Sequence, residues 1–280
     1  MRQFIYIFIL SLSILTLNAQ ENITLSDAVQ KALENNYQIK ISELNLEIAK
    51  NNNSWGTAGR YPVISAGVMN VNRTDNRLIP PNTKNDNYNT NNLSPYIQAN
   101  WILFNGFAVN IRKTQLEELE KMSEGNAAII IENTIQAVIL SYNRILLEKQ
   151  KLDVMREVLN LSRDRFIHTE LRKEFGNALT FDLLQAKTIF LADSSTYLLQ
   201  QLNYTNAVKN LSLILGENSG VIYNPVEDFV IPETDYAIDA LLNNMLASNK
   251  TLQNQFVNQN ILKEAIKLNK SALYPKLSLN

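Results

Sequence analysis

Hydrophobic residues recur every three or four positions along most of the chain, which is the spacing of one face of an α-helix. This spacing runs from Leu25 to about Ala58, over about 106–168, and over about 181–215. At 1.5 Å per residue, the second stretch would form a helix about 90 Å long. Uninterrupted patterns of this length are typical of coiled coils, membrane spans or helical repeats, and the polar residues of this stretch exclude a span. The pattern therefore predicts a mainly α fold with two long, antiparallel coiled-coil arms.

Between the first helix and the first arm, the pattern changes to a period of two. The apolar residues Ile97, Ala99, Trp101 and Leu103 alternate with the polar residues Gln98 and Asn100. This run and an earlier one after Pro62 flank an asparagine-rich stretch from Asp75 to Leu93, and together they predict a β-hairpin over about 62–104. Each run has about 10 residues, the length of a strand that crosses a bilayer. A soluble hairpin with one face on a core has the same periodicity, so both alternatives stay open.

Aromatic residues cluster in the second run of the hairpin. Tyr96, Trp101 and Phe104 lie in this run, and Gly106 follows it. In a strand that crosses a bilayer, aromatic side chains concentrate at the two membrane interfaces. These four residues are therefore candidates for a membrane strand and its interface.

The end of the chain repeats its beginning. When Tyr274 is placed on Tyr61, an offset of 213 residues (274 minus 61), the preceding segments align without a gap. The aligned pairs include Leu25 with Ile238, Val29 with Leu242, Leu33 with Leu246, Asn36 with Asn249, Ile39 with Leu252 and Lys50 with Lys263. Solenoid repeats are only about 20 to 50 residues long, so this period indicates a duplicated half-protein. The residues after Pro275 are then expected to begin another strand.

The first 19 residues have the composition of a secretory signal peptide. Arg2 is followed by an apolar run of about 14 residues and by Ala19, a small residue suited to cleavage. An uncleaved membrane anchor is the alternative, although the run is shorter than the roughly 20 residues that a spanning helix needs. We therefore expect a signal peptide over 1–19, a first repeat over 20–220, and a linker with the start of a second repeat over 221–280.

Short signals mark the two ends of the first helix. Ser26 in LSDA is the expected N-cap, with Asp27 in the first turn. Tyr61 is expected to end the helix because the residue before a proline, here Pro62, is disfavoured in the helical conformation.

The segment RKEFGNALTFD separates the two arms. Gly176 and Asn177 suit a tight turn, since both residue types tolerate left-handed backbone conformations. Thr180 is the expected cap of the second arm. Asp182 lies in its first turn, where a carboxylate is favoured by the helix dipole.

Composition argues against catalytic and nucleic-acid functions. Lysine and arginine total 26 against 27 acidic residues, so the net charge does not favour binding to nucleic acid. The chain has no cysteine and one histidine, His168, which excludes disulfides, thiolate metal sites and a histidine cluster. No glycine-rich phosphate loop, GxSxG elbow or HExxH motif occurs. We therefore expect no enzyme activity, no metal and no cofactor.

Together, these segments resemble the TolC family of outer-membrane efflux proteins. The motifs that carry the resemblance are LSDAVQKALENN, RYPVISAG, QANWILFNG, FGNALTFDLLQAK and LSLILGE, followed by the restart at IDALLNNMLASN. Each motif alone is short, but their order and their duplication are specific. The resemblance covers nearly all of the mature chain.

The resemblance implies a homotrimer whose protomers each contribute two hairpins to a twelve-stranded outer-membrane β-barrel, which continues into the periplasm as an α-helical tunnel. Such a channel is a passive duct for small molecules or proteins, is surrounded by outer-membrane lipid, and works with a periplasmic adaptor and an inner-membrane pump. The turn between the arms matches the family's periplasmic tip, where adaptors dock. Its residues are Gly176, Asn177, Ala178, Leu179, Thr180 and Asp182.

In the family, the second repeat supplies another hairpin, two more arms and the gate at the tunnel mouth. This sequence reaches only the start of that repeat, so we expect a truncated chain. The alternative function is that of a periplasmic coiled-coil adaptor, or of a structural protein without a membrane barrel. Adaptors carry a glycine-rich all-β portion beside the coiled coil, whereas this chain has only 8 glycines in 280 residues.

Overall fold

The computed structural model describes residues 20–78, 85–217, 222–227 and 237–280. The expected signal peptide, the connection of the hairpin and most of the linker lie outside these ranges. Contacts divide the chain into two compact units. The first takes its described residues from Met1–Glu43 and Ala127–Ala247, and the second takes them from Leu44–Asn126 and Ser248–Asn280. The division into consecutive repeats, which concerns ancestry rather than contacts, stays a prediction.

The described part of the chain forms seven helices and five strands. They are β1 (Gln20–Ile23), α1 (Leu25–Asn35), α2 (Tyr37–Asn52), α3 (Trp55–Ala58), β2 (Val63–Leu78), β3 (Asn85–Asn105), α4 (Ala108–Glu174), α5 (Thr180–Ile214), β4 (Ile222–Pro225), α6 (Ile238–Ser248), α7 (Lys250–Ser271) and β5 (Lys276–Leu279).

The two long helices α4 and α5 are the predicted arms. α4 has 67 residues, a length of about 100 Å at 1.5 Å per residue. The arms run antiparallel, because Glu148 contacts Gln200 while the later Phe166 stacks on the earlier Phe190, with ring centroids 5.8 Å apart. This confirms the mainly α fold with long antiparallel helices. α4 ends at Glu174 rather than at about 168, because the helical conformation persists up to the turn glycine.

The first unit has its core where α1 packs against the arms. The buried residues are Ile23, Ala28, Ala32, Val138, Tyr142, Ile145, Leu146, Ala207, Val208, Leu211, Leu215 and Tyr223. β1 and β4 pair in parallel beside this core, and the hydroxyl of Tyr142 donates to the carbonyl of Ile23 at 3.1 Å. This parallel pair was not predicted from the sequence.

A charged side chain of α1 joins the two strands of that pair. Lys31 Nζ lies 2.9 Å from Glu21 Oε1 and 3.3 Å from the hydroxyl of Tyr223. Burial, together with its hydrogen bond to Glu217, raises the pKa of Tyr223 to about 12. The hydrogen bond with Glu21 holds the pKa of Lys31 above its usual range. Lys31 therefore stays charged and Tyr223 stays neutral at neutral pH.

The first helix is interrupted, so the prediction of one helix from Leu25 to about Ala58 was wrong. Asn36 leaves the helical conformation, and its Oδ1 accepts from the N–H groups of Gln38 at 2.8 Å and Ile39 at 3.2 Å. Its side-chain amide donates to the carbonyl of Ile214 at 2.6 Å. Asn36 thus starts α2 and fixes the bend to the end of α5.

The ends of this helical region also differ from prediction. Thr24, not Ser26, is the N-cap, since its hydroxyl oxygen accepts from the N–H of Asp27 at 3.1 Å while the Asp27 carboxylate accepts from the Thr24 hydroxyl at 2.7 Å. At the other end, Gly59 adopts a left-handed conformation with φ 89°. This glycine stops α3 three residues before Pro62, so the proline is not what ends the helix.

The second unit contains an antiparallel sheet in the order β2, β3, β5. β2 has 16 residues and β3 has 21, longer than the predicted runs of about 10. Pairing extends from Val63 opposite Asn100 to Leu78 opposite Asn85, so the described residues of the asparagine-rich stretch belong to the strands. β5, the strand expected after Pro275, pairs with the other edge of β3.

Corresponding elements of the two copies begin at the same offset as their sequences. α1, α2 and β2 begin at Leu25, Tyr37 and Val63, and α6, α7 and β5 begin 213 residues later at Ile238, Lys250 and Lys276. The cap is repeated as well, because Asn249 Oδ1 accepts from the N–H of Leu252 at 2.8 Å. The second cap therefore has the same geometry as the cap that Asn36 provides.

Candidate functional site

The two faces of the sheet differ in polarity, because residues directly opposite each other share a face and successive residues alternate between faces. One face, named the apolar face, carries Ile64, Ala66, Val68, Leu93, Pro95, Ile97, Ala99, Trp101, Leu277 and Leu279. The opposite face mixes Val63, Ser65, Gly67, Met69, Tyr96, Gln98 and Asn100. The apolar face is open, and Ile97 at its middle is 82% exposed. Contiguous exposed apolar surface of this kind marks an interaction site.

The apolar face has a defined extent along the strands. It runs from Leu93 to Leu277, which lies opposite Phe104 on β3. At about 3.4 Å per residue this is about 34 Å along the strand. Strands of membrane barrels tilt by about 35–45°, which reduces the height to about 24–28 Å, close to the apolar band of about 25 Å in such barrels.

Two of the predicted strand residues lie on opposite faces. Trp101 is on the apolar face, and its Nε1 donates to the carbonyl of Arg60 at 3.0 Å. Tyr96 is on the other face, where its ring covers Gly67, and a Cβ at Gly67 would lie 2.7 Å from the Tyr96 hydroxyl oxygen. The two aromatic residues therefore do not form one girdle. The interfacial role of Trp101 stays a prediction.

The other two predicted strand residues lie where β3 turns into α4. Phe104 packs edge-on against Phe107, with ring centroids 5.4 Å apart. Gly106 and Phe107 both have positive φ, 64° and 67°, a conformation that is strained for a bulky residue. A Cβ at Gly106 would overlap the carbonyl oxygen of Ser271. Only glycine fits this corner of the unit.

The tip, defined as residues 175–182 at the turn between α4 and α5, contains all six predicted docking residues. Gly176 has φ 73°, and the N–H groups of Gly176 and Asn177 donate back to Lys173 at 2.9 Å and Arg172 at 2.8 Å. This double hydrogen bond is the Schellman arrangement that ends a helix at a left-handed glycine. The guanidinium of Arg172 also donates to the carbonyl of Asn177 at 3.0 Å. The tip is thus an ordered turn.

The second arm begins one residue earlier than the predicted cap implies. Leu179 is the N-cap and Thr180 is the first helical residue, so the prediction that Thr180 caps the helix was wrong. The Asp182 carboxylate accepts from the N–H of Leu179 at 3.1 Å. Asp182 therefore stabilises the helix start from inside the first turn, where the negative charge is favoured.

Three large apolar side chains project from the tip. Phe175 is 78%, Leu179 is 69% and Phe181 is 71% exposed, whereas Ala178 is half-buried. Leu179 was among the predicted docking residues, whereas Phe175 and Phe181 were not, although they flank the same motif. An ordered turn with exposed apolar side chains has the properties of a contact surface for another protein. Its docking role stays a prediction at this point.

A buried carboxylate joins the two arms away from the tip. Glu148 is 2% exposed, and its Oε2 accepts from Gln200 Nε2 at 2.6 Å. Its Oε1 lies 2.8 Å from Arg144 Nε and 3.4 Å from Lys151 Nζ. The hydrogen bond from Gln200, helped by the two cations, lowers the pKa of Glu148 despite its burial. Glu148 therefore stays charged at neutral pH and links α4 to α5.

Two absences hold for the described part of the chain. No helix within residues 20–78, 85–217, 222–227 and 237–280 has the length and apolar composition needed to cross a membrane. Over the same ranges, no group of His, Asp or Glu side chains is arranged to hold a metal ion.

Solved structures share this fold. The chain matches the CmeC outer membrane channel of Campylobacter jejuni with a TM-score of 0.69 and 15% identity, over 91% of this chain and 54% of that one. It matches the outer membrane protein VceC of Vibrio cholerae (TM-score 0.65, 11% identity, 91% and 60% covered) and the MtrE outer membrane channel of Neisseria gonorrhoeae (0.63, 13%, 91% and 56%). The chain thus spans little more than half the length of these proteins.

Sequence comparisons identify a family. No curated protein matches the chain. The family model described as outer membrane efflux protein matches residues 28–217, which is more than half of the chain and includes the hairpin, both arms and the tip. Together with the shared fold, this confirms the resemblance found in the motifs. The chain belongs to the outer membrane efflux protein family.

Proposed function

We propose that the chain is the outer-membrane channel subunit of a tripartite efflux or type I export system. It would be a passive duct for small molecules or proteins across the periplasm and the outer membrane. The observation that carries the proposal is the apolar face of the sheet. Its height of about 24–28 Å fits the hydrocarbon layer, and its side chains are exposed on consecutive strands.

The polarity of the sheet supports a lipid-facing side and an opposite side that faces the duct. Ile97 and its neighbours would contact lipid, whereas the opposite face, with Ser65, Gln98 and Asn100, would contact water. Barrel strands alternate in this way between a lipid-facing and a lumen-facing side. A duct of this kind requires no catalytic residue, cofactor or metal, and the proposal includes none.

Localisation and partners follow from the same proposal. The sheet would lie in the outer membrane and the arms would extend into the periplasm, with three copies of the complete protein forming the channel. The exposed Phe175, Leu179 and Phe181 at the tip support a docking site for a periplasmic adaptor, which would connect the channel to an inner-membrane pump. Apolar side chains held on an ordered turn bind a partner at a low entropic cost.

Neighbouring positions on opposite faces of β3 provide a matched test. Ile97→Arg places a charge in the middle of the apolar face, where arginine costs about 2–4 kcal/mol at the bilayer midplane. Gln98→Arg places the same side chain on the other face. We expect the first variant to be lost from the outer-membrane fraction and to fail to restore efflux in a strain without its own channel. The second variant should retain both properties.

Two results would contradict the proposal. One is recovery of the unaltered protein in the soluble periplasmic fraction. The other is equal behaviour of Ile97→Arg and Gln98→Arg, which would show that the two faces do not differ in their surroundings.

A further inference from the structure

The lipid-facing side of the hairpin continues beyond the apolar face with different chemistry. From Asn70 on β2 and Asn91 on β3, the same face carries neutral polar side chains. This surface, named the amide patch, consists of Asn70, Asn72, Thr74, Asn89 and Asn91. The change occurs at one step of the sheet, because Asn70 lies directly opposite Leu93.

The amide patch is a regular array. Asn72 lies opposite Asn91, and Thr74 lies opposite Asn89. Opposite Cβ atoms in an antiparallel pair are about 4.5–5.5 Å apart, and residues two positions apart along a strand are separated by about 6.8 Å. All five side chains are exposed, and within the described part of the chain none of them makes a hydrogen bond. Their donors and acceptors are therefore open to an external ligand.

The amide patch also lacks charge. The charged residues at the same level, Arg73 and Asp75, lie on the opposite face and pair with each other at 2.9 Å. A surface for phosphate would be expected to present arginine or lysine. A carboxamide offers two donors and an acceptor, and a hydroxyl offers one donor and two acceptor lone pairs. The array therefore matches the alternating donors and acceptors of sugar hydroxyls.

We propose that the amide patch binds the sugar hydroxyls of glycolipid headgroups in the membrane leaflet next to the apolar face. This rests on the proposed function, since strands leaving the hydrocarbon layer on their lipid-facing side enter the headgroup layer. The continuity of the two surfaces on the same strands specifies a membrane lipid rather than a free sugar as the occupant. Binding there would fix the depth of the hairpin in the membrane.

The test uses the full-length protein and vesicles of phosphatidylethanolamine and phosphatidylglycerol, with or without a lipopolysaccharide that lacks its O-antigen. The glycolipid that remains bound to the protein is measured after extraction in mild detergent. A variant with Asn70, Asn72, Asn89 and Asn91 changed to alanine should retain at least about tenfold less glycolipid, as expected for the loss of several hydrogen bonds. A control with Thr90→Ala and Asn92→Ala, on the opposite face, should retain as much as the unaltered protein.

Each outcome decides a different point. Equal retention by the four-residue variant, or equal loss in the control, overturns the glycolipid inference. If the inference is overturned in this way but the protein inserts into vesicles without glycolipid, the proposed function still stands. If the protein enters neither kind of vesicle, both are overturned.

Discussion

Gly216 and Gly176 allow a backbone effect to be separated from a packing effect. Both residues have φ 73° and end a helix in the same way. A Cβ at Gly176 would have no atom within 4 Å, whereas a Cβ at Gly216 would overlap the carbonyl oxygen of Asn35. Alanine at either position therefore carries the left-handed penalty, but only Gly216→Ala also collides with backbone.

The difference in stability follows from these two contributions. A left-handed conformation costs an alanine about 1–2 kcal/mol, so we expect Gly176→Ala to lower the free energy of unfolding by roughly that amount. Overpacking adds about 1–3 kcal/mol where the neighbours cannot move. The neighbour here cannot move freely, since Asn36 is held by three hydrogen bonds of its side chain. Gly216→Ala should therefore cost about 2–5 kcal/mol in total.

Denaturant unfolding followed by far-ultraviolet circular dichroism measures the two costs in the same detergent. Limited proteolysis provides a local readout, because Gly216→Ala should expose the bend at Asn36 to cleavage while Gly176→Ala should not. Equal losses of stability in the two variants, with no new cleavage at the bend, would refute the argument. Such a result would mean that the backbone at Asn35 moves away from the added Cβ at no cost in free energy.

Three further outcomes follow from the structure. Asn36→Ala should destabilise the protein by about 1–3 kcal/mol because it removes a helix cap and a buried hydrogen bond, whereas Asn249→Ala removes an exposed cap and should cost about 1 kcal/mol. Because the folded pKa of Glu148 is lowered, its stabilising effect is present above the ordinary carboxyl pKa and is lost as pH falls through the folded value; Glu148→Gln should reduce this acid-dependent loss in thermal unfolding. Leu179→Arg should abolish export while assembly stays intact. The control Asp164→Arg introduces the same arginine side chain on α4 and should export normally.

Each of these expectations has a contrary result. Similar costs for the two asparagine variants would show that the amide bond to α5 contributes nothing. An unchanged pH profile in Glu148→Gln would remove the carboxylate from the acid response. Normal efflux with Leu179→Arg would exclude the tip from docking, and equal defects in both arginine variants would assign the effect to the added charge alone.

The long arms and the recurrence of the same elements 213 residues later could be predicted because their signals are spread over many residues. A helical period repeated over about 106–168, or an offset that aligns two segments without a gap, tolerates single exceptions. The break at Asn36 could not be predicted, since the apolar spacing continues through it and the cap depends on a carbonyl of α5. The parallel pairing of β1 with β4 has no local signal, because each strand has only four residues.

The candidate surfaces were predicted only in part, because local sequence patterns do not determine which side chains the fold leaves exposed. The motif around Gly176 locates the tip, but the exposure of Phe175 and Phe181 depends on where the helices end. Alternation over residues 97–101 indicates a two-faced strand. The asparagine-rich stretch has no alternation of polarity, so the inclusion of its described residues in β2 and β3 was missed. Tyr96 and Trp101 are five residues apart on β3, so strand alternation alone places them on opposite faces. The register of the pairing decides only which residues of β2 share each face.

The parallel pairing of β1 with β4 also has a consequence in time. The paired residues are 202 positions apart, as the hydrogen bond between Asn224 and Asn22 shows. At a synthesis rate of about 5–20 residues per second, the residues of β1 are synthesised about 10–40 seconds before those of β4. An unpaired strand edge can pair with other chains during this interval. We therefore expect a newly made chain to need a holding chaperone until the residues after α5 arrive.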